Sequence, residues 1–118
     1  MVAAACAMGT TRLMGLQELR VKETDRIQSM MSGLQRLGVQ VQLRAPDTVE
    51  IEGGRLLGGE VESAQDHRTA MSLTVAALAA QGSTLIHGTE CVSKSFPEFF
   101  DQLRSVTQPS TVKTIDKT

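Results

Sequence analysis

The sequence of 118 residues has no tryptophan, no tyrosine and only three phenylalanines, and its 12 basic side chains are offset by 13 acidic ones. Proteins that bind nucleic acid usually have a basic excess or aromatic side chains on which bases stack, so this class is nearly excluded. No apolar run approaches the roughly 20 residues that a membrane-spanning helix needs. The charged leader of a secretory signal is also missing, and we expect a soluble, cytoplasmic protein of one domain.

Cysteine is scarce as well, since only Cys6 and Cys91 are present. Two cysteines this far apart provide neither a disulfide framework nor a zinc site, and we interpret both as reduced structural residues. The glycine pairs at 53–54 and 58–59 match neither a phosphate-binding loop nor a dinucleotide fingerprint, so we interpret them as turns. The residues therefore predict no metal site.

Strand and helix patterns alternate along the chain and predict an α/β or α+β fold. Helical spacing of apolar residues predicts helices at 2–8, 27–37, 67–80 and 96–103, and alternation predicts strands at 10–14, 39–43, 49–51 and 84–86. The strands at 39–43 and 49–51 form a predicted hairpin. We expect one domain over 1–106 and interpret the polar segment 107–118 as a disordered tail.

Two of these helices carry further expectations. The helix at 67–80, with Asp66 as its cap, is apolar on nearly every side from Ala70 onward, which predicts deep burial. The last helix is expected to be capped by Ser95 and to turn four apolar side chains inward: Phe96, Phe99, Phe100 and Leu103.

The densest polar cluster opens the helix at 27–37. If helical geometry extends back to Lys22, then Lys22 and Arg26 lie one turn apart on one face, beside the unpaired amide groups of the helix N-terminus. Two fixed cations in this position bind phosphate or carboxylate groups. The alternative is that both are ordinary solvated charges, paired with Asp25 and Glu18.

Glu23 stands in line with the apolar stripe of the same predicted helix, which places its carboxylate at the edge of the core. A carboxyl group held between partial burial and two cations is a candidate general acid or base. The alternative is that a glutamate in the first helical turn only complements the helix dipole.

A second polar group, Asp66-His67-Arg68, opens the apolar helix. Core packing does not explain why two polar residues, His67 and Arg68, stand at the start of an apolar helix. We therefore interpret this segment as a second anion-binding helix N-terminus, with His67 as a hydrogen-bonding partner. A structural histidine and an Arg68–Asp66 pair remain the alternative. Lys94 precedes the last helix, and the three helix starts together suggest one polyanionic ligand.

The octet LRVKETDR at 19–26 resembles the signature of the 5-enolpyruvylshikimate-3-phosphate synthase family, the 3-phosphoshikimate 1-carboxyvinyltransferases. DHR at 66–68, followed by Ala70 and Met71, and SKSFP at 93–97 resemble later motifs of that family in the same order. The resemblance implies strand–helix units of the enolpyruvyl transferase fold, about one and a half of them, with a mixed sheet packed on buried helices.

Members of this family transfer the enolpyruvyl group of phosphoenolpyruvate to the 5-hydroxyl of shikimate 3-phosphate, in the shikimate pathway of aromatic amino-acid biosynthesis. They release phosphate and use no metal or organic cofactor. By resemblance, Lys22 takes part in proton transfer at the shikimate hydroxyl, Glu23 exchanges a proton with the phosphoenolpyruvate methylene, and His67 bonds to Glu23. Three cations are expected to hold phosphoenolpyruvate, and also the inhibitor glyphosate: Arg26, Arg68 and Lys94.

The resemblance also implies an incomplete enzyme. Family members are much longer and close two domains on their substrates, so we expect the first domain and an aspartate that assists deprotonation of the shikimate hydroxyl to be missing. A fragment with half of the active site would need a complementing N-terminal chain and turn over little alone. The alternatives are a non-catalytic anion-binding or assembly module and a fragment of the enolpyruvyl transferase that acts on a UDP-sugar.

Overall fold

Over residues 1–115, which the computed structural model describes, the chain forms four α-helices and five strands. In chain order they are α1 (Val2–Cys6), β1 (Gly9–Leu13), α2 (Arg26–Arg36), β2 (Gln40–Ala45), β3 (Thr48–Gly53), β4 (Glu60–Glu62), α3 (His67–Ala79), β5 (Leu85–His87) and α4 (Phe99–Ser105). Two 3-10 helices, Gln17–Val21 and Thr89–Lys94, precede α2 and α4. None of the helices in this part of the chain is long and apolar enough to cross a membrane.

The strands form two sheets of different kinds. The first is antiparallel in the order β1-β3-β2, with Val41 of β2 opposite Ile51 of β3. The β2–β3 pair confirms the predicted hairpin, and its alternating pattern buries Val41, Val49 and Ile51. The second sheet pairs β4 with β5 in parallel. Helices together with strands of both kinds confirm the α/β class, although β4 is too short for its alternation to be recognised in the sequence.

Helices α2 and α3 lie side by side with their N-termini at the same end. Their contacts repeat at helical spacing: Arg26 with Asp66, Ser29 with Thr69, and Gly33 with Leu73. The missing side chain of Gly33 permits this approach, because a Cβ there would lie 2.6 Å from Leu73 Cδ2.

One hydrophobic core joins the helix pair to both sheets. Its largest fully buried apolar side chains are Ile27, Leu34, Leu37, Val49, Ile51, Val61 and Leu73. Because α2 contributes Ile27 and Leu34, and Leu37 follows directly after it, the core fixes this helix against the sheets and so determines where its N-terminus lies.

Two expectations about the first and third helices are wrong. Helix α3 is not buried on all sides, since Val75 is 46% exposed and Leu78 is 42% exposed. Helix α1 ends at Cys6 rather than at residue 8, because Ala7 is already in an extended conformation.

The last helix also begins later than predicted. Ser95 follows the 3-10 helix as its C-terminal cap, and α4 starts only at Phe99, after Pro97. None of the residues of α4 is buried. The phenylalanines instead pack edge to face on one another, with ring centroids 5.7 Å apart for Phe96 and Phe99 and 5.0 Å apart for Phe99 and Phe100.

Residues 107–115 contain no helix or strand. The Arg104 side chain donates to the Val112 carbonyl at 3.3 Å and to the Thr114 hydroxyl at 2.5 Å, so this segment contacts α4. The predicted disorder of the tail stays a prediction, and its last residues, 116–118, lie outside the described residues.

Candidate functional site

The N-termini of α2 and α3 lie together, and each is capped by an aspartate. Asp25 Oδ1 accepts a hydrogen bond from the Gln28 amide at 3.1 Å, and Asp66 Oδ2 accepts one from the Thr69 amide at 3.2 Å. The positive ends of two helices, of 11 and 13 residues, therefore meet at one place. Two such ends together favour binding of an anion.

A buried ion pair joins the two N-termini. The Arg26 guanidinium donates from Nε to Asp66 Oδ2 at 2.9 Å and from Nη2 to Asp66 Oδ1 at 3.0 Å. Asp66 is fully buried, Arg26 is 9% exposed, and Glu23 accepts a further bond from Nη2. Arg26 Nη1 has no hydrogen-bond partner among residues 1–115 but is not sealed from solvent, so it can meet a ligand.

Two hydroxyl groups complete this buried cluster. Thr69 Oγ1 donates to Asp66 Oδ2 at 2.7 Å and lies 2.9 Å from Ser29 Oγ. Burial raises the pKa of Asp66, but the hydrogen bonds from Arg26 and Thr69 lower it to about 2. The hydrogen bond to Asp66 raises the pKa of Arg26 above its usual value, although burial acts against it. Both groups therefore stay charged at neutral pH.

Lys22 and Glu23 lie before α2 and not within it. The helix begins at Arg26 and Lys22 is extended (φ −97°, ψ −155°), so the helical face predicted for Lys22 and Arg26 is wrong. The predicted partial burial of Glu23 is also wrong, since its side chain is 57% exposed. The cause is the Asp25 cap, which stops helical geometry one residue before Arg26. Glu23 still contacts Arg26, which leaves its carboxylate at the solvent side of the site.

His67 and Arg68 lie in the first turn of α3, as predicted. His67 Nδ1 is 3.9 Å from Asp66 Oδ1, which is too far for a hydrogen bond. In the described part of the chain Arg68 is exposed and forms no ion pair with Asp66, so the structural alternative is wrong for Arg68. Within residues 1–115 no hydrogen bond joins His67 to Glu23, whose partner is Arg26.

A shallow, open depression of about 420 Å³ adjoins this helix start. It is lined by His67, Arg68, Met71, Ser72, Ser95 and Phe96. Lys94 is exposed and precedes α4, as predicted, but it ends a 3-10 helix and α4 begins only at Phe99, so its predicted place at a helix start is wrong. Because Ser95 follows it directly, Lys94 still lies next to the depression in the chain. The structure thus brings the 66–68 and 93–97 segments together around one cavity.

A second open depression, of about 480 Å³, offers less to a ligand. It is lined by Arg20, Leu43, Arg44, Ala45 and Pro46. Both arginines already have carboxylate partners, at 2.7 Å for Arg20 with Asp25 and 3.1 Å for Arg44 with Glu50. Within residues 1–115, no three His, Cys, Asp or Glu side chains are grouped so that they could hold a metal ion.

A tight turn between β4 and α3 sets the direction of the helix start. Ala64 and Gln65 both have left-handed backbones, with φ of 57° and 56°. The fully buried Ser63 holds the turn, because its Oγ donates to the Gly88 carbonyl at 2.7 Å and accepts from the Gln65 amide at 3.0 Å. Since Gly88 precedes the 3-10 helix that ends at Lys94, this contact ties the start of α3 to the segment bearing Lys94.

Sequence reasoning missed the residues that hold the site together: Ser29, Ser63, Thr69 and the partnership of Arg26 with Asp66. One signal was present for part of this set. Arg26 and Ser29 stand at i and i+3 on the face of α2 that is otherwise apolar, and polar groups on a buried face need buried partners. Nothing in the sequence identified α3 as the element that supplies those partners.

The comparisons with known proteins agree on one family. The model of the family EPSP synthase (3-phosphoshikimate 1-carboxyvinyltransferase) matches residues 1–103. The 3-phosphoshikimate 1-carboxyvinyltransferase of Synechococcus sp. (strain JA-3-3Ab) is 52% identical over 110 residues, which are 92% of this chain and 24% of that protein. The Gloeobacter violaceus protein of the same name is 50% identical over 108 residues, 91% of this chain and 25% of its own length.

A solved structure shows the same fold. EPSP synthase from Acinetobacter baumannii superposes with a TM-score of 0.83 at 46% identity, over 88% of this chain and 25% of that one. The chain spans about a quarter of the length of the relatives it matches.

Proposed function

The chain belongs to the EPSP synthase (3-phosphoshikimate 1-carboxyvinyltransferase) family, and on that basis we propose that it contributes one part of an enolpyruvyl transferase active site. The reaction transfers the enolpyruvyl group of phosphoenolpyruvate to the 5-hydroxyl of shikimate 3-phosphate and releases phosphate. The remaining contacts come from outside these 118 residues, which span about a quarter of the length of the relatives.

One observation carries this proposal: the N-termini of α2 and α3 converge around a buried Arg26 whose Nη1 is unpaired among the described residues. Phosphoenolpyruvate bears a phosphate and a carboxylate, both of which suit guanidinium groups and helix N-termini. Arg68 is exposed at the same helix start, and Lys94 lies in the segment beside the depression. These three cations bind the substrate anions and stabilise the phosphate leaving group.

Transfer with retention of the enol group requires addition followed by elimination. The 5-hydroxyl oxygen bonds to C2 of phosphoenolpyruvate while C3 gains a proton, and then C3 loses a proton while the bond from C2 to the phosphate oxygen breaks. Glu23 exchanges the proton at C3, a role that its exposure supports, since a carboxyl group open to the site can reach a substrate. Lys22 takes part in proton transfer at the hydroxyl, and His67 assists from the first turn of α3.

Glyphosate, an anion with a phosphonate and a carboxylate, is expected to compete for the same cations. The substrates are soluble anions, which favours a cytoplasmic location. The chain alone is expected to turn over little, since it lacks the contacts that the rest of a relative would supply. A non-catalytic anion-binding module is the second candidate, because the cations lie in this chain whatever the rest contributes.

Complementation tests this proposal. The chain is mixed with a separate polypeptide that comprises the remaining three-quarters of the Synechococcus relative, and phosphate release is measured with both substrates after association is verified by size-exclusion chromatography. We expect release that requires both polypeptides and both substrates, and that falls about a hundredfold or more in Arg68→Ala. Arg12→Ala is the matched control, because Arg12 is also exposed but pairs with Glu50 on the sheet.

Two results would contradict the proposal in different ways. An associated pair that binds phosphoenolpyruvate but releases no phosphate would favour the anion-binding module. Equal loss of activity in Arg12→Ala and Arg68→Ala would mean that Arg68 has no special place in the reaction.

A further inference from the structure

The hydroxyl groups of Ser29 and Thr69 form a chain of hydrogen bonds that ends on the Asp66 carboxylate. Thr69 Oγ1 lies 2.7 Å from Asp66 Oδ2. Because an ionised carboxylate can only accept hydrogen bonds, Thr69 donates its single hydroxyl proton to Asp66. Ser29 Oγ, 2.9 Å from Thr69 Oγ1, is therefore the donor of the second bond, in preference to its longer contact of 3.4 Å with the Arg26 carbonyl. The direction of the chain is thereby fixed, from α2 to α3 and on to the carboxylate.

This chain holds the carboxylate in one orientation. Asp66 Oδ2 accepts from the Thr69 amide at 3.2 Å and from the Thr69 hydroxyl, as well as from Arg26 Nε. Among residues 1–115, Oδ1 accepts only from Arg26 Nη2, at 3.0 Å, and His67 is too far to compete. The plane of the carboxylate is thus set by α3, and the guanidinium can pair with it along the Nε–Nη2 edge.

The orientation of Asp66 decides which nitrogen of Arg26 remains for a ligand. With Nε and Nη2 engaged by Asp66, and Nη2 also by Glu23, Nη1 is the nitrogen without a partner among the described residues. If the carboxylate rotated, it could pair with the Nη1–Nη2 edge and remove the donor that an anion would use.

We infer that Thr69, supported by Ser29, is a positioning residue that turns Asp66 so that Arg26 presents Nη1 to the bound anion. This inference rests on the proposed function, which assigns a substrate phosphate or carboxylate to Arg26. Neither hydroxyl group needs to touch the ligand, because each acts through the next side chain in the chain.

The matched variants separate positioning from simple stabilisation. Thr69→Val removes the hydroxyl with little change of shape, Thr69→Ser keeps the hydroxyl, and Ser29→Ala removes only the supporting donor. Thr74→Val is the control, because Thr74 is also buried in α3 and donates to the Ala70 carbonyl at 2.7 Å, away from Asp66.

The experiment reads the Arg26 side-chain resonances of the 118-residue chain by NMR at neutral pH, and then titrates phosphoenolpyruvate and inorganic phosphate. We expect Thr69→Val to shift the Arg26 Nε–Hε resonance and to allow the guanidinium to rotate more freely. The affinity for both anions should fall about three- to tenfold. Thr69→Ser should restore the spectrum and the affinity, Ser29→Ala should give a smaller change in the same direction, and Thr74→Val should give none.

Unchanged Arg26 resonances in folded Thr69→Val would overturn the inference, and so would changed resonances with unchanged affinity. The proposed function fails separately. The unmodified chain could bind phosphate but not phosphoenolpyruvate, with a lower affinity for phosphate in Thr69→Val. In that case the positioning role stands and the substrate assignment is wrong.

Discussion

Replacement of Asp66 by asparagine isolates the charge that holds the two helix N-termini together. Asparagine is as good a helix cap as aspartate, so the cap on the Thr69 amide can persist. What is lost is the negative charge opposite Arg26, whose side chain is nearly buried. Arg26 would then lie in the protein interior without its full counter-charge, since Glu23 reaches it only from the solvent side.

The expected loss can be worked from two directions. Removing one partner of a buried ion pair costs about 3–5 kcal/mol. The pKa of Asp66, lowered from 3.8 to about 2, corresponds to about 2 kcal/mol of stability that belongs to the ionised form alone. The value from the pKa shift is the smaller of the two, because it compares ionised aspartate with protonated aspartate, which still forms hydrogen bonds in the folded protein. We therefore expect Asp66→Asn to lower the free energy of unfolding by about 3 kcal/mol.

The pH dependence follows from the sign of this shift. Because the folded pKa lies below the unfolded one, the contribution of Asp66 is fully present above pH 4 or so and disappears as pH falls toward 2. The difference between the unmodified chain and Asp66→Asn in urea unfolding, followed by circular dichroism, should therefore shrink by about 2 kcal/mol over that range.

Asp25→Asn is the matched control for this measurement. Asp25 caps α2 as Asp66 caps α3, but its side chain is 34% exposed and that of its partner Arg20 is 31% exposed, and an ion pair open to solvent contributes about 1 kcal/mol or less. Equal effects of Asp25→Asn and Asp66→Asn, or a difference between the unmodified chain and Asp66→Asn that does not change with pH, would refute the role given to the buried pair.

Three further predictions follow from the packing and from the site. Gly53→Ala should destabilise the chain by about 3 kcal/mol in urea titration, because a Cβ there would lie 1.8 Å from the backbone oxygen of Ala7, and an unchanged midpoint would contradict this. Leu73→Ala should cost about 2–5 kcal/mol and Leu78→Ala less than about 1 kcal/mol by the same assay, since Leu73 is fully buried and Leu78 is not; similar costs would refute that assignment. Glu23→Gln should change stability by less than about 1 kcal/mol but lower phosphate release in the complemented enzyme about a hundredfold or more, and undiminished release would exclude Glu23 from proton transfer.

Much of the fold could be predicted from the sequence, because its signals are local. The β2–β3 hairpin follows from alternation around a turn, and α3 follows from an aspartate cap before a helical apolar run. The helix predicted at 27–37 begins within one residue of its predicted start, at Arg26, but the extension of helical geometry back to Lys22 was wrong, because the Asp25 cap decides where the helix begins. The exposed face of α3 was missed since apolar composition does not specify whether a packing partner is present.

The candidate site could be predicted in its residue types and only partly in its geometry. Arg26 was predicted as a ligand-facing cation, and the structure makes it half of a buried pair with Asp66, forty residues along the chain. A pairing at that separation depends on how two helices pack and leaves no local pattern. The role of the Thr69 hydroxyl could not be predicted for the same reason, because it depends on a contact between α2 and α3.

We propose that the paired N-termini of α2 and α3 bind the anionic groups of phosphoenolpyruvate. Amide NMR of the chain, titrated with phosphoenolpyruvate, tests it most directly. We expect saturable shifts at Arg26, at His67 and Arg68 and at Lys94, and none at Arg12 on the sheet. Shifts that do not saturate, or that spread over Arg12 as much as over α3, would contradict it.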